Sequence, residues 1–448
     1  MAGTATEPGR QPITRGAQDR RALAVMTVAH GIQHFYVAGL AVTYPFVVAE
    51  FHVSYAVLGL WLSAAGLLGG LLQAAAGLVR RASARAVLSA QDVAMGVASA
   101  LGAIAPGFGV FGAARVLGAV VSWPQHPVGS AYLSDRFPGR RATALSWHTA
   151  GGSLGTVAVP LLLSVVVAAA GWRWALVALG AALAAGGLLV RLALPLERAP
   201  RPGQANGRPA GAGGEDGGAA QHARSGQSEE PGGPAGLWRL LHRRQVAAVL
   251  AAATIAAGGR GLGTLSTYIP AYLRSGLHLP TLTVGTLFTL VMAASIAGPV
   301  AGGMLADRFG RVRTLIVTYL AAAAALAGFG YAGRDLGLLA GVGVLVGVLA
   351  YAESPLLQAV FSDLAGDGAA RAAFGVFFAI SYGVGSLWTA VIGWVISAAG
   401  FPAAFAVMAG SFVAAAAIIA AAARDSGDVP GSRAEATPPA GEGDALPA

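Results

Sequence analysis

Residues Gly303–Arg313 read GMLADRFGRVR. Asp307, Arg308, Arg311 and Arg313 interrupt two long apolar runs, 282–304 and 314–332. A hydrocarbon core of about 30 Å needs roughly 20 apolar residues as a helix. The stretch therefore predicts a short polar turn between two membrane-spanning helices. Gly303 is suited to close helix packing. Asp307 suits a neighbouring helix N-terminus, where negative charge is favoured. Arg308 and Arg311 suit anionic headgroups or partner carboxylates.

Ten further runs of similar length lie outside this turn. Those in the first half are 22–48, 54–76, 86–105, 109–132, 143–168 and 172–194; in the second half they are 245–271, 336–361, 372–396 and 400–423, which join 282–304 and 314–332. The composition agrees: 55% of the 448 residues are apolar and 11% charged, with a mean hydropathy of +0.64. A soluble chain would carry about a quarter charged residues. The 65 glycines fit tightly packed membrane helices. With no cysteine there is no disulfide framework and no Cys-ligated metal. All 29 basic residues are arginine, so a P-loop or Schiff-base lysine is excluded.

The arginines set the topology. With both termini cytoplasmic, Arg173, Arg274 and Arg334 fall outside, Arg115 and Arg260 lie within spans, and all others fall inside. The pI of about 10.4 then reflects cytoplasmic loops, and no nucleic-acid partner is expected. Residues 1–21 form a cytoplasmic segment, and the apolar run after them is too long for a cleaved signal peptide. Residues 22–194 and 238–423 are two six-helix bundles. Residues 195–237 and 424–448, rich in Gly, Pro, Arg and Glu, read as a disordered linker and tail.

The bundles repeat one pattern. Tyr44-Pro45 is matched by Tyr268-Ile-Pro270, the tyrosines 224 apart. GLVRRASAR at 77–85 is matched by Gly303–Arg311, 226 apart, Ser134-Asp135 by Ser362-Asp363, 228 apart, and Arg141 by Arg371, 230 apart. Such periodicity marks a duplicated unit. Two parallel repeats related by an axis along the membrane normal place a substrate site near the midplane, between the halves. The fold class is an all-α membrane protein of twelve transmembrane helices in two pseudo-symmetric halves.

Gly303, Asp307-Arg308 and Gly310-Arg311 together resemble the inter-helix signature of the major facilitator superfamily, and twelve spans in two sixes extend the resemblance over the whole chain. The resemblance implies the major facilitator fold, a monomer, and a cluster that latches the cytoplasmic side in the outward-open state. In the first half Arg81 stands at the acidic position and Ala84 at the second glycine; Arg85 alone remains. That predicts an asymmetric gate, or a carboxylate supplied by Asp92. Asp135, Arg141, Asp363 and Arg371 are secondary gate candidates. A narrower resemblance is to the fosmidomycin-resistance branch of drug exporters. It rests on His30-Gly-Ile-Gln-His34 leading to Tyr44-Pro45 and Glu50-Phe51, and on Gln125-His126-Pro127 through Ser134, Arg140-Arg141, Gly151-Gly152, Gly155 and Pro160. It implies proton-coupled export. Gly151 and Gly155 also resemble an antiporter signature, with the proline displaced to Pro160.

Ionisable groups within a bilayer are costly and face cavities or partners. His30 and His34, four apart, share a helix face and either shuttle protons or bond a neighbouring helix. No nearby carboxylate or cysteine completes a metal site, and neither metal nor cofactor is expected. His126 either acts in transport or bonds the region freed by Pro127, which is expected to bend its helix. His148 is placed near the inner interface. Asp92 is either a proton site or the partner of Arg80, Arg81 or Arg85. Arg115 either meets an anionic substrate or snorkels to the headgroups. Glu353, the one carboxylate deep in the second half, is expected to pair with Arg260. Tyr44 and Tyr268, at repeat-related positions, and Phe35, Tyr36, Tyr382 and Trp388 are candidate cavity aromatics.

No nucleophile–base constellation or nucleotide-binding segment is present, so an enzyme or an ATP-driven pump is not expected. The expected partners are a small-molecule substrate, protons and the lipid bilayer of the cell membrane. Proton-coupled antiport of a drug-like molecule or metabolite leads; symport of a small organic anion, countered by Arg115 and Arg260, is the alternative.

Overall fold

The structure is a computed structural model describing residues 15–74, 83–196 and 234–425. Within these ranges the side chains of 366–372 and of a few other positions fall outside the description. Arg80 and Arg81, the side chain of Arg371, and nearly all of the expected linker and tail therefore lie outside the described residues.

The first half comprises α1 (Arg15–Glu50), α2 (Tyr55–Ala74), α3 (Ala84–Ala103), α4 (Phe108–Val121), α5 (Gln125–Arg136), α6 (Arg141–Ala170) and α7 (Trp172–Ala193). The second comprises α8 (Pro234–Leu241), α9 (Arg244–Ala256), α10 (Ser266–Ala271), α11 (Thr281–Phe309), α12 (Arg311–Tyr331), α13 (Leu336–Phe378) and α14 (Trp388–Asp425). Among the described residues ten stretches are long and apolar enough to cross a bilayer. Twelve crossings are consistent with this number. The fourth is split into α4 and α5, each too short alone. The stretch Ala373–Arg424 has 52 residues, about 78 Å of helix at 1.5 Å per residue, more than twice a bilayer core. It holds two crossings, separated at Gly400, whose φ of 81° breaks the helix.

Three breaks matter for function. The fourth crossing opens over Ser122–Pro124 and not at Pro127. Pro127 lies in the first turn of α5, where its missing N–H leaves no helical bond unmade. The seventh crossing leaves the helix between α9 and α10, where Gly263 has φ 123° and Leu262 is extended. Arg260 sits at the start of that break. The eleventh is loosened over Ala379–Leu387 before α14 resumes.

One pairing recurs in both halves: α3 lies along α7 and, correspondingly, α12 along α14. In addition α1 lies along α6, and α11 along α13. The halves meet through α2 against α14 and α6 against α11. The outer surface is apolar: Leu60, Ile104, Leu154, Leu192, Val300 and Trp394 are all more than 45% exposed, as a lipid-facing surface requires.

Gly31 on α1 faces Gly151 and Gly155 on α6, and each Cβ added there would meet backbone atoms of the opposite helix. This contact draws α1 and α6 together and brings their histidines into one layer. Gly303, expected to pack closely, has open space at its Cβ position. The close contacts of α11 with α13 fall instead at Gly298, against Val348, and Gly302, against Ala352 and Leu356.

Candidate substrate cavity

A cavity of about 370 Å³ lies between the halves, within the range of small-molecule sites. Seven expected residues line it: His34, Tyr36, Tyr44, Arg115, His126, Arg260 and Tyr382. Five do not, Phe35 and Trp388 among them. His30 lies behind His34, while Tyr268 and Glu353 are fully buried. Tyr268 donates to the Thr389 carbonyl at 2.6 Å. It packs where α2 meets α14, beneath Gly59 and Gly393.

Arg115 does not snorkel. Its Nε donates to the Tyr44 hydroxyl at 3.1 Å, and its guanidinium lies 4.7 Å from the centre of the Tyr36 ring. Nη1 is buried without a partner, and no described carboxylate pairs with it. The result is a cation in the cavity wall with donor capacity to spare.

Arg260 is the opposite case. Its Nε donates to Glu353 Oε1 at 2.5 Å, Nη1 to the Ser381 carbonyl at 2.6 Å and Nη2 to the Ala253 carbonyl at 2.7 Å. Tyr319 donates to the other Glu353 oxygen at 3.3 Å. The break between α9 and α10 lets Arg260 turn inward, and the loosened Ala379–Leu387 stretch supplies an open carbonyl. The pair is neutral overall, with every nitrogen of Arg260 engaged.

Four histidines gather on the first-half wall. The His30 and His34 rings are 4.5 Å apart, with His126 at 5.3 and 6.2 Å from them. His148, expected at the interface, is buried and stacks on His30 at 4.0 Å. Helix α6 begins two turns before His148, and the close approach of α1 seals it. The hydrogen bonds fix tautomers. His30 Nδ1 donates to the His148 carbonyl at 2.7 Å and His148 Nδ1 to the Met26 carbonyl at 3.2 Å. The Thr156 hydroxyl is committed to the Gly152 carbonyl at 3.0 Å, so it accepts from His34 Nδ1 at 2.8 Å.

Asp92 is sealed within the first half. Gln91 Nε2 bonds its Oδ1 at 3.0 Å and Gln125 Oε1 at 2.9 Å, while Asp92 Oδ2 has no partner. It pairs with no described arginine; Arg85, on the first turn of α3, meets no described carboxylate. In the turn between α11 and α12, Asp307 and Arg308 are exposed, and no described residue donates to Asp307. Gly310, at φ 86°, makes the reversal, and Arg311 pairs with Asp363. The first-half counterpart differs: Asp135 is exposed and Arg141 donates to the Ser134 carbonyl at 3.2 Å. Sequence reasoning missed Thr156, cavity-lining Gln33, and two ion pairs, Arg136–Asp19 at 2.9 Å and Arg173–Glu50 at 2.7 Å. Thr156 had one signal, its place one helical turn after Gly152.

A family model for the Major Facilitator Superfamily matches residues 26–390, with a second match over 282–444. Solved structures with the same fold include the nucleoside transporter NupG, with 15% identity over 91% of this chain and 99% of that one and a TM-score of 0.72. A bacterial homologue of the human lysosomal transporter Spinster, inward-facing and occupied, shares 17% identity over 93% of this chain and 96% of that one, at a TM-score of 0.67. No functionally curated protein matches significantly by sequence.

Proposed function

The chain belongs to the major facilitator superfamily, and from that premise we propose that this membrane transporter carries a small anion-bearing metabolite by alternating access, coupled to protons. Arg115 carries this reading: a cavity-lining cation with an unpaired donor and no described carboxylate beside it. A guanidinium can grip a carboxylate or phosphate through two parallel bonds. Protonating Glu353 would free Arg260 as a second counter-charge, so proton and anion would bind together and travel in one direction. The arginine distribution supports a cell-membrane orientation with both termini and the Arg311 end cytoplasmic. The cavity is lined by both halves of one chain, which suits a monomer.

A second reading, proton-coupled export by antiport, has its own observation. His30, His34, His126, Gly151, Gly152 and Gly155, which carry the resemblance to drug exporters, converge on one wall. Liposomes with an internal pH dye separate the two. Proton flux with the anion supports symport; flux against it supports antiport. Under either reading, R115Q should raise the apparent KM for an anionic substrate by roughly tenfold to a hundredfold, the worth of one hydrogen bond to a charged group. An unchanged KM would remove Arg115 from the substrate site.

A further inference from the structure

We propose that His30, His34 and His126 form a binding site for a late first-row divalent cation, of the Zn²⁺ or Ni²⁺ class, in the wall of the central cavity. Each residue offers one ring nitrogen, and the three lie within 4.8 Å of one another. Tetrahedral zinc with Zn–N bonds of about 2.0–2.1 Å holds its nitrogens about 3.3 Å apart. Rotations about the loosely restrained χ2 of each imidazole can close that difference.

The tautomers are set for it. His30 and His34 both spend Nδ1–H on protein oxygens, at 2.7 and 2.8 Å. The lone pair of each is thereby placed on Nε2. Metal-binding histidines are oriented in this way by outer-sphere acceptors. Thr156 is such an acceptor, locked by its own bond to Gly152. His30 Nε2 is buried and unpartnered, a loss relative to water that a cation would recover. An all-imidazole set suits Zn²⁺, Ni²⁺, Co²⁺ and Cu²⁺ and excludes Ca²⁺ and Mg²⁺, which need oxygen ligands. His34 and His126 line the cavity. The fourth position therefore faces it, where a water or an anion oxygen completes the sphere.

The test uses untagged full-length protein in detergent, titrated with Co²⁺ and followed by metal content and visible absorption. The expected result is one Co²⁺ per chain, with the ligand-field bands of four-coordinate cobalt, displaced by Zn²⁺. T156V keeps all three rings but removes the His34 acceptor, and should weaken binding roughly 10–100-fold. H34A and H126A should weaken it at least as much, with the same elution profile as the parent. H52A, an exposed histidine elsewhere, should change nothing. Absence of stoichiometric binding by the parent protein would overturn the proposal. So would unchanged affinity in both H34A and H126A.

Discussion

Arg260 and Glu353 show why some of the site was legible. Each is the one group of its sign deep in the second half, and isolated charges in a bilayer are expensive enough to find each other. The structure sets them 2.5 Å apart, though only Arg260 reaches the cavity. Removing one member of a buried pair costs about 3–5 kcal/mol, whereas replacing both with apolar residues is often neutral. E353Q should therefore lower the melting temperature of the solubilised protein and abolish transport. R260M/E353L should recover most of the melting temperature without recovering transport. Transport by the double variant would reduce the pair to a packing element. His148 was not legible in this way, because counting residues from a span boundary says nothing of how closely the neighbouring helix approaches.

At the scale of elements, the apolar runs gave helix positions but not their breaks. Pro127 looked like the kink of the fourth crossing, yet the chain opens three residues earlier and uses Pro127 to start α5. Glycine was similarly ambiguous. Gly151 and Gly155, read from the sequence only as resembling an antiporter signature, form a close approach, whereas Gly303, expected to pack closely, sits in open space. The two positions should respond oppositely to substitution. G155L drives a side chain into the Gly31 backbone, which cannot yield, and should collapse the yield of monodisperse protein. G303A relieves a helical glycine and should raise stability by up to about 1 kcal/mol. Thermal unfolding of both variants checks the pair, and a destabilised G303A would restore the packing role that its sequence suggested.

The whole molecule holds itself shut at one end. Among the described residues, every hydrogen bond between the halves uses Tyr55, Ala56 or Ser63 of α2: Tyr55 to Ser275, Ala56 to Ser397, and Ser63 with Ser386 and Ala390. These residues span about 12 Å of helix. At the opposite end the described polar contacts, Arg311–Asp363, Arg136–Asp19 and Arg141–Ser134, stay within one half. The duplicated sequence revealed the two halves, since each repeat folds by its own periodicity. It could not reveal which end closes, because that depends on contacts between halves that share no local pattern. Alternating access requires the Tyr55-end contacts to break in each cycle. A chain without cysteine allows a clean test. The Ala56 amide lies 3.0 Å from the Ser397 hydroxyl, so A56C/S397C should bridge on oxidation if the Cβ atoms come within the usual 3.5–4.5 Å or so. The bridge should stop transport and a reductant should restore it. With the bridge in place, a cysteine at cavity-lining Ser122 should still react with an impermeant thiol reagent added from the Arg311 side. Undiminished transport by the bridged protein would mean that this end does not open, and that substrate leaves by a route other than the one between the halves.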